Sequence, residues 1–478
     1  MTLSTYLSAR EMLVGLNAKE ISARELLDAH LARNDALHGK LNAIVDTDIA
    51  RAQKDAAAID DARARGENLG PLAGIPMTIK DGLDVENMPA VVGNPALVGR
   101  PKNCPDARVV GRARKAGAVI WGKSNVPLML GDLQTFNDVY GTTNNPYDVT
   151  RVPGGSSGGS AAALAAGITP LEIGSDIGGS LRHPANFCGV CSLKPTWNAL
   201  PQEGHYPPMP DGWFEPDLNV VGPMARNSED LRLLYGALHA TPPAERRGVK
   251  GAKIAIWDEE PSFPLSHDVR DATRRAADQL ADSGVRVERA KPDIDGDEMM
   301  ENYLAVICAV MSGSLPDEIL AGMASSREDD LKAMAAGAGW ASAANNRLRT
   351  TASYHDVTRA LAVRHKMKTK LAAFFAQGFD AILMPITATP PFEHTQSVGF
   401  MDRKIEIEGK TWPFMAMVDW ITLATFLHAP SIAVPAGKTS DGLPVGVQLV
   451  GPWNGEDRLF DYGSALEDIN GGFSPPSL

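Results

Sequence analysis

Several features are scarce or missing in this 478-residue sequence, and each absence excludes a class of protein. No apolar run approaches the roughly 20 residues that a membrane-spanning helix needs. The first residues lack the basic and apolar regions of a secretory signal. No dense run of Lys and Arg is present, and the net charge of −12 repels phosphate backbones. We therefore expect a cytoplasmic protein that binds neither membranes nor nucleic acids.

Cysteine is also rare, with four residues in the whole chain. Cys188 and Cys191 form a lone C-x-x-C pair, which would be half of a zinc site. No second pair and no histidine partner follow at ligand spacing. We expect reduced cysteines with structural roles and no metal site.

The overall composition is that of a globular protein, with 44% hydrophobic and 22% charged residues. The length would allow two or three domains, but no repeat, low-complexity tract or linker divides the chain. We predict one α/β domain over residues 1–478. Its parts are N-terminal helices (about 1–65), a catalytic core (66–230), a variable middle region (about 231–380), and C-terminal core strands with a closing helix (381–478).

Hydrophobic periodicity predicts the main secondary structure elements. Helices are predicted within residues 5–65, with Ser22 and Glu25 as a capping box, and at 109–116, 161–166, 269–283, 299–322, 353–375 and 457–467. Another helix should open at Ser228. Buried strands are predicted at 77–81, 118–122, 169–173, 253–257, 285–287, 381–385, 431–435 and 445–450.

We predict that the reactive residues lie in the segment 154–184, whose sequence is GGSSGGSAAALAAGITPLEIGSDIGGSLRHP. Two serine turns flanked by glycine lie on either side of an alanine-rich helix, with Gly167 as its C-terminal cap. Glycine permits tight turns and close approach of backbone. A serine placed just after two glycines, such as Ser180, can lie beside free backbone N–H groups, which is the arrangement that an oxyanion hole requires.

The first serine turn has three other interpretations. A flexible Gly/Ser linker is disfavoured, because apolar segments follow at once. A phosphate-binding loop would need a Lys and a Ser/Thr at its end, whereas Ser160 and Ala161 follow the glycines. The segment 154–158 does satisfy G-x-S-x-G, the nucleophile elbow of α/β-hydrolases. Residues 148–153 are too polar for the strand that should precede an elbow, so this stays the runner-up.

Lys80 follows the short apolar segment 77–79, a position more typical of an exposed edge strand than of catalysis. Together, however, Lys80, GGSSGGS and GSDIGGS resemble the amidase signature family of serine hydrolases. The resemblance extends to PLAGIP at 71–76, TNNP at 143–146, LKPT at 193–196, GPMAR at 222–226 and GLPVGVQ at 442–448. It covers about two thirds of the sequence.

This resemblance implies a mixed central sheet of roughly eleven strands between helices, and a Ser-Ser-Lys triad. In it Ser180 is the nucleophile, Ser156 a bridging serine held by a cis peptide, and Lys80 the base. Backbone N–H groups of Ile177, Gly178, Gly179 and Ser180 would form the oxyanion hole. No cofactor is needed, because an acyl-enzyme divides amide hydrolysis into two steps.

The sequence departs from the family at a few positions. Ser175 replaces a more usual Thr, and Cys191-Ser192 replaces an apolar residue and glycine. We expect these changes to alter packing behind the site and not the chemistry.

The implied activity is hydrolysis of carboxylic or aryl amides, with esters and carbamates as further candidates, on a small-molecule substrate. The family also includes the glutaminase subunit of a glutamyl-tRNA(Gln) amidotransferase complex. Residues 197–201, WNALP, differ from the sequence usual in that subfamily. The oligomeric state is left open, a homodimer included.

The proline-rich loop 201–216 carries His205, Tyr206, Trp213 and Phe214, and aromatic residues on a long loop suggest a pocket wall. By the family resemblance, residues 128–130 and the stretch around Met209, Trp213 and Phe214 would line the cleft. Met129 and Trp213 are predicted to contact the substrate. Such residues favour an apolar or aromatic substrate portion.

Overall fold

A mixed β-sheet forms the centre of the computed structural model, which describes residues 3–206, 215–241 and 244–478. Within these ranges the sheet has eleven strands, which lie side by side in the order 44–47, 119–124, 76–80, 171–176, 220–225, 191–194, 431–438, 444–450, 381–385, 253–256 and 286–289. Helices pack against it, and apolar side chains from both layers form one continuous core. The predicted α/β fold with a mixed sheet of about eleven strands is confirmed.

The elements have the following bounds. The helices are α1 (Ala9–Asn17), α2 (Ala23–Leu41), α3 (Ile49–Ala64), α4 (Arg108–Lys115), α5 (Gly158–Ala165), α6 (Arg182–Cys188), α7 (Ser228–His239), α8 (His267–Asp282), α9 (Gly296–Ser312), α10 (Asp317–Ser325), α11 (Arg327–Ala335), α12 (Ala343–Thr350), α13 (Tyr354–Phe375), α14 (Thr422–Phe426) and α15 (Glu456–Asn470). The strands are β1 (Ile44–Thr47), β2 (Pro76–Lys80), β3 (Val119–Ser124), β4 (Phe136–Asn137), β5 (Gly141–Thr142), β6 (Leu171–Asp176), β7 (Cys191–Lys194), β8 (Val220–Ala225), β9 (Lys253–Ile256), β10 (Arg286–Arg289), β11 (Ala381–Pro385), β12 (Lys404–Ile407), β13 (Lys410–Pro413), β14 (Ser431–Lys438) and β15 (Pro444–Val450).

The strand directions bring two chain segments to one edge of the sheet. Strand β2 lies between β3 and β6 and runs parallel to both, with Thr78 opposite Glu172 and Ile79 opposite Ile173. Parallel strands end at the same edge, where ligands bind in open α/β sheets. Lys80 at the end of β2 and the serine turn that follows β6 therefore lie close together.

Local sequence signals explain several helix ends. The predicted capping box of Ser22 and Glu25 is present at the start of α2, since each side chain accepts the other's backbone N–H. Every residue of α5 is buried, which its small side chains allow. The predicted cap Gly167 follows this helix with φ +71°, a conformation that glycine adopts at little cost.

Among the differences from the sequence-based prediction, two concern regions that were expected to be helical. The N-terminal region is not purely helical, because β1 lies between α2 and α3 and pairs with the edge of β3. The helix predicted over residues 299–322 is broken after Ser312, and α10 begins after Pro316. Proline cannot donate an interior helical hydrogen bond, so the break follows from the sequence.

The helices also bear on membrane insertion. Across the described ranges, none is both long and apolar enough to cross a membrane.

Candidate active site

Lys80 ends strand β2 in the interior of the sheet, where its side chain is fully buried. Its Nζ donates to Ser156 Oγ at 2.8 Å, to Ser175 Oγ at 2.9 Å and to the Ser175 carbonyl at 3.3 Å. Lys80 therefore does not lie on an exposed edge strand, the position that is more usual for such a lysine. Its direct contacts are hydroxyl and carbonyl oxygens, so the amine has no ion-pair partner in the described structure.

Burial decides the protonation of this amine. It lowers the pKa of Lys80 from 10.5 to about 7, against the opposing effects of the Asp176 and Glu172 carboxylates. Desolvation penalises the charged form of a lysine, while nearby negative charge favours it. A substantial fraction of Lys80 is consequently neutral near pH 7, the form that can accept a proton.

Ser156 lies in the loop that leads into α5. The peptide bond between Gly155 and Ser156 is cis, and the ideal Cβ of any larger residue at position 155 would lie 2.4 Å from the Asp132 carbonyl oxygen. Ser157, the next residue, donates its N–H to the Ser180 carbonyl at 3.2 Å. This bond joins the two serine turns directly.

Ser180 lies in the turn between β6 and α6, and the Asp176 carboxylate organises that turn. Asp176 accepts from the N–H groups of Gly179 at 2.9 Å and Leu181 at 3.1 Å. It also forms a fully buried ion pair with Arg182 at 3.0 Å. Burial acts to raise the pKa of Asp176, but the Arg182 guanidinium outweighs it and holds this pKa well below its usual range.

Arg182 is itself held on several sides. Its guanidinium also donates to the Ile421 carbonyl, Gln448 Oε1 and Thr425 Oγ1. The turn that carries Ser180 is thus fixed through Asp176 to residues near the C-terminal end of the chain.

The same turn exposes backbone donors beside Ser180. In the described part of the chain, the N–H groups of Ile177, Gly178 and Ser180 have no hydrogen-bond partner. The N–H of Gly179, also expected in the oxyanion hole, is instead donated to Asp176. Three backbone donors beside Ser180 are thus unpaired among the described contacts, and the oxyanion hole stays a prediction.

Glycine at 179 has a structural reason. Its φ is +92°, and an ideal Cβ there would lie 2.6 Å from His183 Cε1. A side chain at this position would meet both an unfavourable backbone conformation and a buried ring.

A cleft with about 570 Å³ of empty volume opens onto these groups. Its described lining consists of Met129, Leu130, Ser156, Ser175, Ile177, Ser180, His205, Pro216, Asn219, Val310, Met311 and Ser314. None of these side chains is an acid, a lysine or an arginine, and Lys80 lies behind Ser156 and Ser175. The cleft therefore combines an apolar wall with a few uncharged polar groups.

The structure brings together most of the residues singled out from the sequence. Ser156 and Ser180 share the cleft, although no hydrogen bond joins their hydroxyls among the described contacts. Catalytic hydrogen bonds are often loose before substrate binds. Met129 lines the cleft as predicted, whereas Trp213, with Met209 and Phe214, lies outside the described residues.

The two departures from the family lie in different places. The Ser175 hydroxyl accepts directly from Lys80, and the usual Thr would carry the same hydroxyl, so the expectation that this change leaves the chemistry unaltered stays a prediction. Cys191 does lie away from the cleft, where its thiol donates to Glu467 Oε1 at 3.1 Å.

Sequence reasoning missed part of the lining. Val310 and Met311 come from α9, and Ser314 follows it, in the region treated as variable. Asn219 precedes β8 and also lay outside the motifs. Apolar residues on a helix look the same in sequence whether they face a core or a cleft, so no local signal distinguished them.

We also searched the described residues for clusters of side chains that could bind a metal ion. Among the described residues, no group of three or more His, Cys, Asp and Glu side chains is arranged to hold a metal ion.

Comparison with known proteins agrees with this geometry. A family model described as Amidase matches residues 25–460. A glutamyl-tRNA(Gln) amidotransferase subunit of Salinispora arenicola (strain CNS-205) is 32% identical over an alignment that covers 100% of both chains. A 1-carboxybiuret hydrolase subunit of Pseudomonas sp. (strain ADP) is 31% identical, with 96% of this chain and 97% of that one covered.

A solved structure is similar over the same extent. It is described as a vestigial protein complex that reveals the evolutionary origins of an s-triazine catabolic enzyme, and it matches with a TM-score of 0.81 and 28% identity. The match covers 99% of this chain and 100% of that chain. These matches extend over nearly the whole sequence and include the strands that carry the serine turns. The chain belongs to the amidase family of hydrolases, which act on C–N bonds.

Proposed function

We propose that this protein is an amidase that hydrolyses uncharged carboxylic or aryl amides by itself, through Ser180, Ser156 and Lys80. The observation that carries the proposal is a fully buried lysine with a pKa lowered to about 7 and its Nζ 2.8 Å from the Ser156 hydroxyl. Such an amine is matched to proton transfer near neutral pH. Esters and carbamates with the same uncharged character are further candidate substrates.

In the proposed reaction, Ser180 Oγ attacks the amide carbonyl carbon. The Ser180 proton passes to Ser156 as Ser156 gives its own proton to neutral Lys80, since a hydroxyl can donate and accept at once. The N–H groups of Ile177, Gly178 and Ser180 stabilise the oxyanion. The C–N bond then breaks, and the proton on Lys80 returns through Ser156 to the leaving amine.

The second half repeats these transfers with water. A water molecule loses its proton toward Ser156 and Lys80 and attacks the acyl-Ser180 carbonyl. The bond between Ser180 Oγ and the acyl carbon breaks, and Ser180 recovers a proton. The products are a carboxylic acid and a free enzyme, with no cofactor in the balance.

Charge in the cleft supports an uncharged substrate. Free glutamine carries an ammonium and a carboxylate, and burying such groups without partners is costly. The described lining residues offer no charged side chain for either group. Met129, Leu130, Ile177, Val310 and Met311 instead supply an apolar surface for an alkyl or aryl portion.

The glutaminase subunit of an amidotransferase complex is the second candidate, and the similarity to the Salinispora arenicola protein favours it. The two candidates differ in autonomy. A stand-alone amidase should hydrolyse anilides as the purified single chain, whether as a monomer or a homodimer in the cytoplasm. A glutaminase subunit should act on glutamine and gain activity with partner subunits. Native mass spectrometry of the protein from its own cells would identify such partners.

The catalytic assignment can be tested with an arylsulfonyl fluoride, which labels an activated serine. Ser180→Ala should abolish labelling and anilide hydrolysis, because Ser180 belongs to the turn that carries the unpaired N–H groups. Ser314→Ala, at another serine of the same cleft, is the matched control and should retain labelling. Labelling that survives in Ser180→Ala and disappears in Ser156→Ala would instead support the nucleophile-elbow assignment.

A further inference from the structure

The cleft contains two polar residues that the proposed hydrolysis does not use, His205 and Asn219. Both line the same cleft as Ser156 and Ser180, and both are buried, with 8% and 4% of their surfaces exposed. His205 Nε2 is buried without a hydrogen-bond partner among the described residues. A buried polar atom that is left unpaired costs free energy, so a cleft-lining imidazole with an unused nitrogen gains from a ligand that supplies a hydrogen-bond partner.

The backbone holds His205 next to the proposed base. His205 forms an isolated antiparallel β-bridge with Leu83, which lies just after β2. The next residue, Tyr206, donates its N–H to the Gly82 carbonyl at 2.8 Å. The His205 N–H is donated to the Gln202 carbonyl at 2.9 Å. The backbone of His205 is therefore held beside the end of the strand that carries Lys80.

His205 is electrically neutral in this setting. Burial, with a smaller contribution from the nearby Lys80 charge, lowers the pKa of His205 to about 3. A neutral imidazole has one nitrogen that donates and one that accepts. It can thus recognise a neutral hydrogen-bonding group but supplies no positive charge to attract a carboxylate.

Asn219 adds a second, complementary group. Its Nδ2 donates to Gln202 Oε1 at 2.6 Å, which fixes the amide. Within the described contacts its Oδ1 accepts no hydrogen bond, so this oxygen is available to a donor in the cleft. The donor of the neutral imidazole and the acceptor of Asn219 together match a primary carboxamide, whose oxygen accepts and whose NH₂ donates.

We propose that His205 and Asn219 form a specificity site for a second, neutral carboxamide on the substrate, beyond the amide bond that is cleaved. This inference rests on the proposed amidase function and assigns its substrate class. The substrate would be a diamide in which the apolar residues of the cleft cover the carbon skeleton. His205 contacts substrate in this proposal but takes no part in proton transfer.

Matched substrates test the proposal. With the second group in the acyl part, the anilide of succinamic acid is compared with 4-methylpentananilide, in which an isopropyl group replaces the carboxamide. With the group in the amine part, N-benzoylglycinamide is compared with N-isobutylbenzamide. We expect the wild type to prefer the carboxamide in at least one pair by about tenfold or more in kcat/KM, since an unpaired buried group is costly. A preference confined to one pair would identify the side of the scissile bond that faces His205.

Variants separate recognition from structure. His205→Leu should lower kcat/KM for the preferred carboxamide about tenfold or more and leave the isopropyl analogue within about twofold, which removes the preference. His205→Gln, which keeps a donor and an acceptor, should restore part of it. Met311→Leu changes an apolar lining residue and should leave the ratio between paired substrates unchanged. Thermal unfolding of each variant checks the fold.

The possible outcomes distinguish this inference from the function on which it rests. If Ser180 is labelled by the sulfonyl fluoride and the wild type hydrolyses both members of each pair equally, the specificity site is wrong and the amidase stands. Equal losses for both members in His205→Leu would also overturn the specificity site. If Ser180 is not labelled and no amide is hydrolysed, the proposed function is wrong and the inference falls with it.

Discussion

Replacing Lys80 with Met should stabilise the folded protein while removing its activity, because the lysine is buried at a cost. A fall in its pKa from 10.5 to about 7 corresponds to roughly 5 kcal/mol, since one pKa unit is about 1.4 kcal/mol. At low pH, where Lys80 is protonated in both states, the buried ammonium lowers the free energy of unfolding by this amount, and we call this loss the disadvantage. Methionine has a similar length and no charge, so Lys80→Met removes the disadvantage but also the hydrogen bonds to Ser156 and Ser175.

The pH dependence isolates the charge from those lost contacts. Between about pH 7 and 10.5, the unfolded chain keeps the Lys80 proton while the folded protein has released it, so the stability of the wild type rises with pH. At pH 6 the disadvantage is roughly 5 kcal/mol, and at pH 9 about 2 kcal/mol remains. The stability of Lys80→Met relative to wild type should therefore fall by about 3 kcal/mol from pH 6 to pH 9.

Urea-induced unfolding at the two pH values measures this difference, with Lys54→Met as a control that removes an exposed lysine. A Lys80→Met difference that is the same at pH 6 and pH 9 would refute the reasoning. Activity gives an independent readout. The wild-type kcat/KM should rise with pH through about 7, because the neutral amine is the base. Lys80→Met should lose this limb and about 10²–10⁴ in rate, and a limb that persists would mean that another group titrates.

Two further predictions concern the turns around the site. Gly179→Ala should destabilise the protein by about 1–3 kcal/mol, because a side chain is strained at a positive φ. Gly178→Ala is the control, since its Cβ would approach no neighbouring atom closer than 3.4 Å, and it should cost less stability in the same urea titration. Equal losses of stability in the two variants would contradict the argument. Ser175→Ala should move the ascending limb of the pH–rate profile to lower pH, because it removes an oxygen that accepts from the Lys80 ammonium. Ser175→Thr keeps the hydroxyl and should leave the limb in place. A shift to higher pH in Ser175→Ala would show that the hydroxyl instead favours the neutral amine.

Local patterns predicted much of the fold. The capping box at Ser22, the alanine-rich helix α5 and the buried strands β2, β6, β14 and β15 all have strong signals within a few residues. Strand β1 was missed because it has four residues and an irregular pairing with β3, so neither its length nor an alternating pattern marks it. The helices α11 and α12 were also missed. Their apolar residues are few, and partner helices and not the sheet cover them.

Some residues of the site were likewise predictable from local motifs, and others were not because distant parts of the chain bring them together. Lys80, Ser156 and Ser180 lie in motifs with a fixed order of glycine and serine, so the sequence alone indicated them. His205 was predicted on the loop that forms a pocket wall, and it does line the cleft, but its burial could not be read from a loop sequence. Asn219 and Met311 become neighbours of the serines only through the strand order and the packing of α9. No spacing in the sequence encodes that neighbourhood.

A comparison of two buried lysines shows what makes Lys80 suitable as a base. Lys123 lies on the adjacent strand β3 and is as fully buried as Lys80, but its Nζ is 3.1 Å from the Asp81 carboxylate and forms an ion pair. Lys80 has hydroxyl partners instead, and the nearest turn carboxylate, Asp176, is paired with Arg182.

Arg182 therefore has two effects on the site. It holds Asp176 in the position that shapes the turn around Ser180, and it is the counter-ion of a carboxylate whose effect on the pKa of Lys80 is outweighed by burial. Burial alone does not distinguish a structural lysine from a base. Lys194 is also buried, and its pKa is likewise lowered to about 7, but its Nζ donates to the Pro195 carbonyl. The distinguishing feature of Lys80 is its position, with its Nζ 2.8 Å from the Ser156 hydroxyl that relays the proton in the proposed mechanism.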